Sequence, residues 1–186
     1  MKNLESNQPR RRTLGWALLP VMAAALLAWA LPANAGSKTT CQETAIPIGV
    51  LDPGAVSFPD GNTHIRGMTI VQAELSDDPR VEGLATVIMD LQIKANGDVI
   101  LHGTVIKEVG TWDLSDPGHP QFTASGGIWV GIVEAKGNMA GTLTATGVLH
   151  GIGGEVEGLQ YKFEGGGPTS GVSEYAVRVL DPHAGK

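Results

Sequence analysis

A single cysteine, Cys41, stands in the 186-residue chain, so no internal disulfide can form and the fold must rest on its hydrophobic core. As a free thiol it could link two chains, but its proline-broken surroundings place it in a mobile N-terminal segment. Positive charge is scarce once the first 35 residues are set aside. They hold four of the 13 basic and one of the 19 acidic residues, leaving nine against 18 and a net charge of −9. That balance repels a nucleic-acid duplex or an anionic membrane surface, so nucleic acid is not an expected partner. Helical periodicity is also missing after residue 35.

Motifs of the common chemistries are absent too. There is no Gly-x-Ser-x-Gly elbow for a nucleophile. Gly165-Gly166-Gly167 is followed by neither Lys-Ser nor Lys-Thr and opens no helix, which excludes a phosphate loop. Five histidines, His64, His102, His119, His150 and His183, include no close pair of the kind metal sites use. Neither a metal nor a cofactor is expected.

What is present begins with a leader. Arg10-Arg11-Arg12 supply a positive end, residues 14–31 form an apolar run without charge, and Ala33-Asn34-Ala35 places small residues where a signal peptidase needs them. Cleavage is expected between Ala35 and Gly36. The run is about long enough to span a bilayer at ~1.5 Å per residue, so an uncleaved anchor is the competing reading. Pro32 and the residues after it favour cleavage. The paired arginines admit the twin-arginine route. Cys41 lacks the Leu three residues before it that lipid attachment requires. The expectation is a protein exported to the periplasm or beyond, with no stable membrane insertion after cleavage. The 151 residues that remain suit one domain.

That domain reads as strands. Residues 36–62, broken by Pro47, Pro53 and Pro59, read as an N-terminal arm with one short strand at 44–50. Residues 64–75 form a strand ended by Ser76-Asp77-Asp78-Pro79. In 85–94, Val87, Met89, Leu91 and Ile93 alternate with mostly polar residues, the period of a half-buried strand. Asn96-Gly97 then predicts a tight hairpin turn into 98–109, where Val99, Leu101 and Val105 share one face. Residues 110–120 read as a loop. Further strands are expected at 122–136 with a bend at Gly126-Gly127, at 139–150, at 159–164 and at 172–180, with Gly165-Gly166-Gly167-Pro168 as a flexible turn and 181–186 as a tail. Seven or eight long strands with 25 interspersed glycines describe an antiparallel β-barrel over 63–180, which removes exposed edges. A β-sandwich is the alternative. A membrane-spanning barrel is disfavoured because Asp90, Gln92 and Lys94 would face lipid.

Four stretches carry a resemblance: Asp78-Pro79-Arg80-Val81-Glu82-Gly83, Gly103-Thr104, Gly127-Ile128-Trp129-Val130-Gly131, and Gly151-Ile152-Gly153-Gly154-Glu155-Val156-Glu157-Gly158-Leu159. In this order, over residues 66–164, the chain resembles secreted bacterial proteins with barrels like those of allene oxide cyclases and dirigent proteins. The resemblance implies a barrel. Members of that barrel group include cyclases, proteins that orient reactive intermediates and bacterial proteins of no known role, so the resemblance implies a fold more than an activity. Its motifs are glycines and one tryptophan, which hold backbone geometry, and no catalytic residue is carried over.

Candidate chemistry is sparse. Glu134 shares the parity of Ile128, Val130 and Ile132; buried there, its pKa would rise and it could move a proton. Close to the strand end and two residues before Lys136, it reads instead as facing water. His150, at a strand end, belongs at the barrel rim. Trp129, Tyr161 and Phe163 either line an apolar cavity or simply fill the core. Two functions follow. The first is non-catalytic binding of a small apolar ligand or a protein partner, with a homo-oligomer as one form. The second is a cofactor-independent cyclase or isomerase using Glu134 or His150. Two or more polar groups pointing into an accessible cavity would favour the enzyme, and a filled interior would remove both small-molecule readings.

Overall fold

Alternation of side chains across extended backbone organises all of the chain that the computed structural model describes, residues 36–116, 118–169 and 171–184. The expected leader, with Ala35 and the cleavage site it forms with Gly36, lies outside the described residues but for Gly36. Nine strands follow in order: β1 (Ser37–Asp52), β2 (Ala55–Ser57), β3 (Thr63–Ser76), β4 (Gly83–Ile93), β5 (Asp98–Asp113), β6 (Gln121–Asn138), β7 (Thr142–Ile152), β8 (Gln160–Pro168) and β9 (Ser173–Asp181). From β3 to β9 each pairs antiparallel with the next. β1 pairs with β9 through residues 37–45 and with β3 through residues 43–52, so the sheet closes on itself as an eight-stranded barrel. β2 continues the line of β1 along the same side of β3 beyond the Pro53-Gly54 corner.

The all-β antiparallel barrel expected from the sequence is therefore the architecture, but its boundary is not at residue 63. The segment read as an arm contains the 16-residue strand β1, which closes the barrel. Its prolines do not prevent this. Pro47 sits beside an irregularity in the β1–β3 register, Pro53 at a corner, and Pro59 opens a single 3-10 turn. Cys41 is accordingly buried in a strand rather than held in a mobile segment. The residues 165–167 are also strand, not turn. A side chain at Gly165 or Gly166 would collide with the backbone carbonyl of Glu174 or Leu143 on the neighbouring strands. β5 runs on to Asp113, shortening the expected loop.

One end of the barrel is packed solid. Val81 from the β3–β4 turn and Val156 from the β7–β8 turn fold inward against Val109 and Trp129, all four without solvent exposure. Trp129 Nε1 donates to the carbonyl of Arg80 at 2.7 Å, and Trp112 Nε1 donates to that of Gly83 at 2.8 Å. Asp78 holds the turn by accepting from the Arg80 backbone N–H and guanidinium. On β6, residues 125–127 face the single residue Val109, and Gly126 takes φ +92°, a bulge at the bend expected there. Three of the four stretches behind the family resemblance, those around Val81, Trp129 and Val156, thus build this closed end, while Gly103-Thr104 lies in the middle of β5.

The β4–β5 hairpin forms where Asn96-Gly97 predicts it, with a different turn. Only Gly97 has positive φ (+86°); its N–H donates to the carbonyl of Lys94, while the Lys94 N–H donates to that of Asp98. This is a longer loop with glycine in the left-handed position, not a two-residue turn. A Cβ at Gly97 would meet only the Asn138 side chain, so the cost of substitution is backbone strain. Gly97→Val is expected to lower stability by about 1 kcal/mol or more, read from urea unfolding. An unchanged midpoint and slope would refute the assignment.

Candidate functional site

Inward positions of β5 run Val99, Leu101, Gly103, Val105, Lys107 and Val109, so the alternation that builds the core carries a lysine into it. Lys107 is wholly buried and is met by two carboxylates that alternation likewise turns inward, Glu43 from β1 and Glu74 from β3. Its Nζ lies 2.6 Å from Glu43 Oε2 and 2.6 Å from Glu74 Oε2. Tyr161 from β8 donates its hydroxyl to Glu43 Oε2 at 2.6 Å, and Lys107 Nζ stands 4.9 Å from the centroid of the same ring. Four strands thus meet in one polar layer. Beneath it lies the packed end containing Trp129.

Above it the barrel is open. A cavity of about 410 Å³ has Glu43, Glu74 and Tyr161 at its floor and apolar walls that include Met68, Ile70, Val87, Met89, Leu101 and Leu149. Small inward residues, Ala135 and Ala145, leave the room. Beyond Ala45, β1 leaves β9 and follows β3 alone. Val50, on that stretch, lines the cavity and is 57% exposed, so the cavity meets solvent there, near Pro168 and Thr169.

Burial sets the electrostatics. Desolvation, then the Glu43 charge, pushes the Glu74 carboxyl up to about 7 against the opposing pull of Lys107. Lys107 itself loses solvation, yet the two carboxylates outweigh that and raise its pKa. Burial and the same carboxylates drive the Tyr161 hydroxyl well above its ordinary range, and burial raises that of Tyr175, which also lines the cavity. The layer therefore holds a fixed ammonium, neutral phenols and a carboxyl able to exchange a proton near neutrality. Such a group facing a largely apolar cavity can accept or donate a proton or a hydrogen bond. Among the described residues no group of three or more His, Cys, Asp or Glu is placed to hold a metal ion.

The residues singled out in the sequence divide. Tyr161 and Phe163 line the cavity; Trp129 lies under its floor and does not. Glu134 and His150 point outward and are exposed. Glu134 Oε1 stands 3.6 Å from His102 Nδ1, with both side chains two-thirds exposed. Glu134 thus faces water, as its place near the strand end indicated, while parity alone could not decide because β6 is apolar on both faces. Ile128 and Ile132 are the exposed set, and Trp129, Val133 and Ala135 the buried one. Glu43, Glu74 and Lys107 were missed, although Lys107 stands in register with Val105 and Val109, a charge on an otherwise apolar face.

Removing the ammonium strands two buried carboxylates, so Lys107→Met is expected to destabilise the barrel by about 3–5 kcal/mol in denaturant unfolding. A loss under about 1 kcal/mol would show that the layer is not coupled as described. Glu74 holds its proton more tightly folded than unfolded. Its contribution to stability is complete below the ordinary carboxylate range and is lost as pH rises through about 7. Unfolding free energy should fall by on the order of 1–3 kcal/mol between pH 5 and 8 and flatten in Glu74→Gln. A flat wild-type profile would contradict this.

No protein-family model, no curated protein and no solved structure matches the chain.

Proposed function

We propose that this is an exported binding protein that holds a small, largely apolar molecule inside its barrel. The observation that carries the reading is the cavity itself. Its volume of about 410 Å³ falls within the usual range for small-molecule sites, and its apolar walls end in a few convergent polar groups at one end. Burial of an apolar ligand there supplies the affinity, at roughly 25 cal/mol per Å² removed from water, and the floor supplies orientation. The likeness to allene oxide cyclase and dirigent barrels is part of this proposal.

A cofactor-independent cyclase or isomerase is the second reading, favoured by one observation. Glu74, titrating near 7, faces the cavity beside two neutral phenols, Tyr161 and Tyr175, a set able to move a proton on an enclosed substrate. In this reading Glu74 takes the role that the sequence assigned to Glu134 or His150.

N-phenyl-1-naphthylamine, an uncharged apolar fluorophore, tests the cavity. It should bind the full chain at one site per barrel. Ala145→Trp, or the milder Ala145→Phe, should weaken binding by roughly tenfold or more while the circular dichroism of the barrel persists. Unchanged affinity in folded variants would place the probe outside the barrel and overturn the reading. Native mass spectrometry of protein from its own source separates the two functions. A retained molecule that fresh protein leaves unaltered supports the carrier. Conversion that Glu74→Gln abolishes supports the enzyme.

A further inference from the structure

Each carboxylate of the floor keeps one oxygen outside the cluster. Glu43 Oε2 takes both Lys107 Nζ and the Tyr161 hydroxyl, and Glu74 Oε2 takes Lys107 Nζ. Glu43 Oε1 and Glu74 Oε1 have no side-chain or backbone partner among the described residues. No fully buried side-chain oxygen or nitrogen there lacks a partner, so these two oxygens open into the cavity that both residues line. Both side chains are more than nine-tenths buried. The bottom of an apolar cavity thus presents two hydrogen-bond acceptors.

Charge is also unequal there. With both carboxylates ionised, two negative charges face the single ammonium of Lys107. The other polar residues along the walls are neutral, and the Tyr161 proton is already committed to Glu43. Three kinds of head group can be weighed against this floor. An anion is repelled and finds no cation of its own. A hydroxyl gains one hydrogen bond and leaves the excess charge in place. An ammonium donates to both free oxygens and makes the layer neutral, the strongest pairing available at low dielectric.

We infer that the ligand of this cavity is a cationic amphiphile, a protonated amine on an apolar tail, with its N–H groups donating to Glu43 Oε1 and Glu74 Oε1 and its tail lying against Met68, Ile70 and Met89. The inference rests on the small-molecule reading above and names the ligand class for it. Between Met68 and Glu74 the wall extends roughly 20 Å at ~3.3 Å per residue, room for a medium-length alkyl chain. Binding is linked to protonation of the floor. The charged and titratable groups facing Glu74 are Glu43 from β1, Lys107 from β5, Tyr161 from β8 and Tyr175 from β9. Glu74 titrates near 7, while Lys107 and both tyrosines shift upward, away from neutrality. Raising the pH through 7 therefore adds negative charge to the floor and strengthens the hold on an amine.

The test displaces N-phenyl-1-naphthylamine from the full chain with three ligands of equal tail: decylamine, decanol and decanoate. At pH 8 decylamine should compete about tenfold better than decanol, and decanol better than decanoate, as a charge-assisted hydrogen bond predicts. The advantage of the amine over the alcohol should shrink severalfold at pH 6. In Glu74→Gln the amine and the alcohol should compete within about threefold of each other at both pH values. If decanol or decanoate competes as well as decylamine with the wild-type protein, the ligand class is wrong and the cavity reading stands. If neither the fluorophore nor any of the three binds, both are overturned. An amine advantage that survives in Ala145→Trp also overturns the inference, because binding then lies on the acidic surface and not in the barrel.

Discussion

The ammonium of Lys107, held between Glu43 and Glu74, is the constraint on which the rest of the barrel depends. A lysine on the inward face of β5 cannot be buried alone, because the desolvation of an unpaired charge outweighs the packing around it. Its partners come from β1 and β3, and the phenol that completes the set comes from β8. β1 is the strand through which the sheet closes, so closure and neutralisation of Lys107 are one event. Residues 43–45 of β1 pair with β3 and β9 together, and Glu43 stands at the start of that shared stretch. The polar layer is thereby fixed where the barrel is most tightly bound.

That layer also divides the interior. Below it, two turns fold valines into the barrel end, and the large indole of Trp129 fills the axis. Above it, Ala135 and Ala145 stand where larger residues would interdigitate. An eight-stranded barrel has an interior just wide enough to be filled by its own side chains, so modest shortening on several strands is enough to leave a ligand-sized space. The glycines work at a different level. Gly131, Gly137, Gly165 and Gly166 each sit where a Cβ would strike the carbonyl of an adjacent strand, so they permit strong local curvature and do not enlarge the cavity.

Much of the architecture was legible from period-two alternation. The strands from β3 to β9 follow from it, as with inward Val87, Met89, Val99, Leu101 and Val105, while the β4–β5 hairpin and the bend follow from Asn96-Gly97 and Gly126-Gly127. β1 was legible only in part, as a short strand at 44–50, because its inward residues are Cys41, Glu43 and Ala45, an alternation whose central member is charged and whose partner lies 64 residues away on β5. The floor was hidden for the same reason. Burial of Glu43, Glu74 and Lys107 is a property of the three together, and no single strand records it. Glu134 shows a limit of parity, since its outward position was read from the strand end and not from the alternation. With apolar residues on both faces of β6, parity could not say which face was inside, and the aromatic Trp129 decided it.

Two acids for one base is more than a structural pair requires. A buried ion pair is seldom more stabilising than apolar residues of the same volume, and the second carboxylate adds desolvation without adding a second positive charge. The pKa of Glu74 records that excess, since burial and the Glu43 charge together overcome the attraction of Lys107. Were the layer only a seal beneath the core, one glutamate and the Tyr161 hydroxyl would satisfy the ammonium, and an apolar residue in place of Glu74 would pack at lower cost. The additional carboxyl is instead set where it faces the cavity. Strain of this kind concentrates at sites that bind or react, because there a partner arriving from solvent relieves it. The excess acid at the floor and the open space above it are thus two halves of one arrangement, and under the proposed binding function the polar layer is the part of the barrel that would select a ligand.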